Sequence, residues 1–178
     1  TSYGRIGCFI GQVEGGSIST SHAAGSVTSG GHYGGAFIGV LAKNVGVNIS
    51  KCYATGTVNL PASVNKSGGA GFIGAIENDG TSVISDCYTT ATVTAYRWSG
   101  AFIGRAMNSS KVTITNCYSK SNCTFTQPAN CGALVGYITE KYAVVDNCHV
   151  SNAAITCTYA NGDADGDKAG ALIGNATN

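Results

Sequence analysis

The sequence predicts an all-β chain, a parallel β-solenoid (β-helix) of five to six coils of about 28–38 residues, forming one repeat domain over residues 1–178. Three observations predict it. A glycine motif, clearest as Gly35-Ala36-Phe37-Ile38-Gly39, occurs six times; a second ten-residue segment recurs between its copies; and no stretch shows the apolar spacing of an amphipathic helix.

The glycine motifs lie at 7–11, 35–39, 70–74, 100–104, 132–136 and 170–174, and their closing glycines are separated by 28, 35, 30, 32 and 38 residues. These periods are close to the length of one solenoid coil. Composition agrees: Gly is high at 26 and Pro low at 2, with abundant Val, Ile, Thr, Ser and Tyr, which favours short strands joined by tight turns. Charged residues make up only 11% and the net charge is +1, so neither a nucleic-acid-binding patch nor an acidic tail is expected. No apolar run is long enough to span a bilayer, and membrane insertion is not expected. The chain opens at Thr1 without a signal-peptide pattern and reads as a processed chain or an excised segment.

The second repeat is clearest as Ile49-Ser50-Lys51-Cys52-Tyr53-Ala54-Thr55-Gly56-Thr57-Val58, with counterparts beginning at Ile18, Ile84, Ile114 and Val145. Period-two alternation places Cys52, Ala54, Gly56 and Val58 inward and Tyr53, Thr55 and Thr57 outward. Stacked coils turn each position into a ladder. Ile18, Ile49, Ile84, Ile114 and Val145 form one aliphatic column, and Val27, Val58, Val93, Cys123 and Ala154 another. Small residues between them suit a narrow interior.

In the glycine motif, Phe37 and its equivalents are expected to point inward, with Leu41, Ile76 and Ile138. Gln12, Arg105 and Asn175 then point out. Strict alternation would also expose Ile10, Ile38, Ile73, Ile103, Val135 and Ile173 as an apolar stripe, covered by a neighbouring molecule or a packed loop. The competing expectation is a turn inside the motif that buries both side chains.

The two motifs together, Gly-x-Phe/Leu-Ile/Val-Gly followed by Ile-Ser-x-Cys-Tyr-Ala-Thr-Gly-x-Val, resemble the GLUG-motif repeats of bacterial surface proteins, including adhesins and regions of immunoglobulin A peptidases. The resemblance runs from Gly7 to Gly174 and implies an extracellular β-solenoid of structural or adhesive character, with no catalytic residues to carry over.

Among residues that bear chemistry, Cys52, Cys87, Cys117 and Cys148 share one inward ladder at coil spacing, without any C-x-x-C pair, and read as reduced, buried structural thiols. Inter-rung disulfides stay open on distance, while Cys8, Cys131 and Cys157 lie off the ladder and are better placed for bridges in a secreted protein. His22, Tyr53, Tyr88, Tyr118 and His149 form an exposed aromatic ladder, either a sheet-stabilising stack or a carbohydrate-stacking surface. Asn161, Asp163 and Asp165 stand at positions one, three and five of a calcium-type loop, but the bidentate acid at position twelve is missing, so no cofactor beyond this calcium candidate is expected. Lys51 and Asp86 should pair across rungs, and Asn116 and Asn147 should form an amide ladder.

No pair of carboxylates converges on one face and no nucleophile has an orienting base, so no enzyme is expected. Asn48, Asn65, Asn108, Asn122 and Asn175 each open an Asn-x-Ser/Thr acceptor pattern for N-glycosylation. Ice binding through Thr55, Thr57, Thr90 and Thr92 is disfavoured because later coils replace those threonines. The ends carry repeat-like edges, so Gly7, Phe9 and Gly11 are candidates to meet Gly170, Leu172 and Gly174 of another copy, end to end in a fibre; removed repeats or caps are the rival reading. The expected function is a secreted or cell-surface structural or adhesive element, open to N-glycosylation at these patterns, that self-associates or meets a host or cell-surface glycan or protein. The alternative is a carbohydrate-binding module using the aromatic ladder.

Overall fold

The computed structural model describes residues 4–28, 30, 32–42, 45–60, 68–77, 79–107, 111–126, 129–139, 143–151, 154–158 and 168–177. Among these there is no helix, and every strand pairing is parallel. The strands stack as a β-solenoid of about four turns. Each turn visits four faces in the same order.

A flank face comes first, with strands Arg5–Gly7, Tyr33–Gly35, Gly68–Ala70, Cys131–Gly132 and Ala169–Gly170, bridged through Gly100. The motif sheet follows, with Ile10–Val13, Ile38–Ala42, Ile73–Glu77, Ile103–Ala106, Val135–Ile138 and Ile173–Ala176. The isoleucine sheet holds Gly16–Ser19, Val47–Ser50, Thr81–Ser85, Lys111–Thr115 and Val144–Asp146. The cysteine–tyrosine sheet begins with His22–Thr28 and Tyr53–Leu60. In later turns it breaks into the pairs Tyr88–Thr89 with Thr92–Ala95, Tyr118–Ser119 with Cys123–Phe125, and His149–Val150 with Ile155–Cys157.

The glycine motif is a corner. Residues 36 and 37 bend between the flank strand and the motif strand, and both Phe37 and Ile38 are 0% exposed. The apolar stripe therefore does not exist, because the turn inside the motif buries both side chains. One carbonyl holds each corner to the next: Phe37 O accepts the N–H groups of Phe9 and Ile10 at 3.1 Å, and Phe72 O those of Phe37 and Ile38 at 3.1 and 2.9 Å. The same double acceptance recurs at Phe102, Leu134 and Leu172. Inside the corner, Phe9, Phe37, Phe72 and Phe102 stack at ring separations of 4.8 Å. Burying one such ring contributes roughly 2–3 kcal/mol.

The closing glycine is needed because the flank strand passes directly over it. A Cβ on Gly74 would lie 2.6 Å from Gly39 O and 2.9 Å from Gly34 N, backbone atoms that cannot move aside. Leu41, Ile76 and Ile138 point inward as expected.

Three expectations are corrected. Gly56 is exposed rather than inward: its φ of +107° lies in glycine territory, and a Cβ there would fall 1.9 Å from Gly25 O. Later turns break the strand at this level, and Ala91 and Ser121 are buried there. In the last turn Ile155, and not Ala154, pairs with Cys123, because one additional residue follows His149. Ala154 is exposed. Lys51 and Asp86 form no ion pair among the described residues; Asp86 instead accepts from the Asn116 amide at 3.1 Å, and Asn116 accepts from Asn147 at 2.7 Å.

Candidate functional site: the cysteine–tyrosine corner and the arginine seam

Each turn enters the cysteine–tyrosine sheet through a residue with positive φ. These are Thr20, Lys51, Asp86, Asn116 and Asn147, all between +48° and +54°. Asn and Asp tolerate this left-handed conformation better than most side chains. The next residue is the ladder cysteine, and its role is more than packing. Cys52, Cys87, Cys117 and Cys148 each direct Sγ at the carbonyl two residues earlier, at 3.2, 3.1, 3.2 and 3.2 Å. In the first turn Ser21 Oγ makes the same bond to Ser19 O at 2.8 Å.

The device recurs at a second left-handed corner, where Ser99 follows Trp98 and its Oγ donates to Arg97 O at 2.8 Å. Cys131 follows Asn130 in the same way and faces Ala129 O at 4.0 Å. Burial raises the Cys52 and Cys148 thiols above the ordinary value, and the Cys87 thiol is raised by its hydrogen bond with Cys117 and then by burial. No disulfide joins any of the eight cysteines, all of which lie among the described residues. Cys8 is exposed, Cys131 is buried, and Cys157 is partly buried against the core. No disulfide links the candidates Cys8, Cys131 and Cys157 to one another.

Immediately after the corner stands the aromatic ladder. His22, Tyr53, Tyr88, Tyr118 and His149 stack with centroid separations of 4.9, 4.9, 4.8 and 5.2 Å and interplanar angles of 6°, 4°, 2° and 13°. The register pairs Tyr53, Tyr88, Tyr118 and His149 directly, with His22 opposite Tyr53. This geometry matters for the carbohydrate reading. A sugar ring stacks on an open aromatic face, but both faces of all three tyrosines are covered by their neighbours. On the tyrosines only ring edges and hydroxyls are left for a ligand, while the exposed His22 and His149 are each stacked on one face. The Tyr88 hydroxyl is held above the ordinary phenol value by partial burial and by the phenols of Tyr118 and Tyr53.

A second cluster, unmarked by any repeat in the sequence, lies on the seam between the flank face and the motif sheet. Arg105, expected to point outward, is only 4% exposed. Its guanidinium forms an ion pair with Glu77, which is 17% exposed, and donates to the Tyr33 hydroxyl. Tyr33 in turn donates to Glu77 at 2.7 Å. The guanidinium also lies 4.6 Å from the Tyr33 ring centre and 5.3 Å from that of Trp98, which stacks on Tyr137 at 6.4 Å. Arg105 is paired in register with Ala75, and Tyr33 with Gly68. The absent side chain of Gly68 and the small one of Ala75, both in the third turn, leave the space through which the arginine reaches back. Its Nε has no hydrogen-bond partner. Burial is the first cause that raises the Tyr33 phenol, and Glu77 adds to it while Arg105 opposes.

The remaining candidates are scattered. Asn48 is exposed on the isoleucine sheet. Asn122 is exposed, and its Oδ1 accepts from Ala154 N at 3.4 Å. Asn175 is half-buried, and its amide donates to Asn130 Oδ1 at 2.9 Å. Asn65, Asn108 and the calcium candidate Asn161, Asp163 and Asp165 lie outside the described residues. Among the described residues no three His, Cys, Asp or Glu side chains are grouped to hold a metal ion.

At the ends, Phe9 is 44% and Leu172 39% exposed, each terminating the phenylalanine–leucine column. The motif sheet has six strands and the isoleucine sheet five.

The chain matches no protein-family model, no curated protein and no solved structure.

Proposed function

We propose that this chain is an extracellular structural or adhesive repeat element of the GLUG type, a right-handed solenoid of five to six coils counted by its glycine motifs. The observation that carries the reading is the unbroken stacking of the same positions from turn to turn. The interior is filled by aromatic and aliphatic columns, the corners are tied by repeated carbonyl contacts, and the outward side chains of the cysteine–tyrosine sheet are mostly hydroxyl-bearing. Such a body is a rod with little freedom to close around a substrate, which favours a scaffold or contact surface over an enzyme.

Its partners are a second copy or a glycan or protein at a cell surface, engaged through the outer faces. Protease shaving and antibody labelling of intact source cells test the placement: digestion and labelling without lysis are expected, and a protein reached only after lysis would refute it. Light scattering over a concentration series tests self-association separately. A scattering mass that grows with concentration is expected, and a strictly monomeric chain at every concentration would refute self-association.

A further inference from the structure

We propose that the Tyr53–Tyr88–Tyr118 stack is an oxidative cross-linking site, in which a dityrosine bond joins Tyr88 to one of its neighbours and staples successive turns together. Three observations carry it. The three rings are in register and nearly parallel, at 4.9 and 4.8 Å with interplanar angles of 4° and 2°. All three side chains are half-exposed, so their edges face solvent while their faces are packed. No other described tyrosine has a tyrosine stacked on it: Tyr33 is buried beneath Arg105, Arg97 lies over Tyr96, and Tyr137 stacks on Trp98.

The chemistry balances with a peroxidase-type one-electron oxidant and hydrogen peroxide. Each of two phenols gives one electron to the oxidant and its hydroxyl proton to water, leaving two phenoxyl radicals. A carbon–carbon bond forms between the positions ortho to the two oxygens. Each ortho carbon then loses its hydrogen as a proton while its oxygen regains one, restoring two phenols. The two electrons and two protons released in total reduce one peroxide to two waters. The stack supplies what coupling in free solution lacks: the second ring is already one rung away, so the encounter is intramolecular.

The site also makes Tyr88 unlike its neighbours. Among the described residues it alone has a tyrosine stacked on each side, whereas Tyr53 and Tyr118 are separated by about twice the rung spacing of roughly 4.8 Å. The test is to treat the full chain with a peroxidase and hydrogen peroxide at a dilution where monomers prevail. Dityrosine fluorescence is followed, and the linked peptides are mapped by mass spectrometry. The wild type should lose two hydrogens per chain and give a 53–88 or 88–118 linkage. Tyr88→Phe, which keeps the ring stack, should abolish intrachain dityrosine; Tyr53→Phe should retain the 88–118 link, and Tyr118→Phe the 53–88 link. Equal cross-linking in Tyr88→Phe, linkage only between chains or through other tyrosines, or no dityrosine under conditions that couple free tyrosine would each overturn the proposal.

Discussion

Arg105 separates two accounts of the seam, and replacing it by methionine distinguishes them. If its side chain pointed to solvent, as strand alternation along Ile103–Ala106 suggests, Arg105→Met would change stability by no more than about 0.5 kcal/mol. In the structure the guanidinium is buried against Glu77, Tyr33 and Trp98. Removing it leaves a carboxylate and a phenol without their cation. Breaking a buried pair in this way costs about 3–5 kcal/mol, and partial exposure of Glu77 reduces the expectation to about 2–3 kcal/mol. For a chain of this size that is a fall on the order of 5–10 °C in Tm. The double variant Arg105→Met with Glu77→Leu should recover most of the loss, since an apolar pair of similar volume avoids the desolvation of both charges. Thermal unfolding is followed by circular dichroism and by the fluorescence of Trp98, the single tryptophan, which stands beside the substitution. A single variant as stable as wild type, or a double variant showing the simple sum of two losses, would refute the buried clamp.

Alkali should destabilise the fold. Burial pushes the Cys123 thiol from 9.0 up to about 12, so its contribution is intact below pH 9 and is lost as pH rises toward 12, when the unfolded chain sheds a proton that the folded chain retains. The loss approaches roughly 4 kcal/mol, reinforced above pH 10 by Tyr33, and a Cys123→Val variant should show a shallower decline in stability across pH 9–11. Thiol labelling of the native chain should reach Cys8 first and should leave Cys52, Cys87, Cys117, Cys123 and Cys131 unmodified until denaturant is added, when eight thiols react; rapid native labelling of all eight would contradict the buried ladder. Gly104→Ala should be severely destabilising, by more than about 2 kcal/mol, because its Cβ would lie 2.3 Å from Gly74 O. Gly30→Ala, with nothing within 4 Å, should be close to neutral by the same denaturation assay.

The parts of this architecture legible in the sequence are those that repeat at equal height. Ile49, Ile84 and Ile114 occupy one column because each turn returns the same position to the same face, so periodicity alone places them; the Tyr53, Tyr88 and Tyr118 column follows for the same reason. The arginine seam does not repeat. Arg105 meets Glu77 and Tyr33, residues at other positions in other turns, and the room for it comes from Gly68 and Ala75, which look like ordinary variation when columns are compared one at a time. The signal was a lone arginine in the column Gln12, Val40, Ala75, Arg105, Tyr137 and Asn175, directly beside its smallest member, Ala75. The corner in the glycine motif was hidden for another reason. Period-two alternation assumes an extended backbone, and residues 36 and 37 are bent.

The cysteine ladder shows how a position read as volume turns out to be chosen for a bond. A small apolar side chain would satisfy the packing at Cys52, Cys87, Cys117 and Cys148, and alanine would serve. At the equivalent point of the first turn, however, the chain uses Ser21, and at the second left-handed corner it uses Ser99 and Cys131. Serine and cysteine share a donor, and the acceptor is the carbonyl two residues earlier, beyond a residue whose positive φ takes the backbone out of the regular ladder. The requirement at this position is therefore a compact side chain carrying a hydrogen. A thiol oxidised to a disulfide no longer has that hydrogen, so each bridge formed within the ladder would leave two corner carbonyls without their side-chain donors. The reduced ladder and a disulfide staple are thus alternatives, and the corner geometry favours the reduced form.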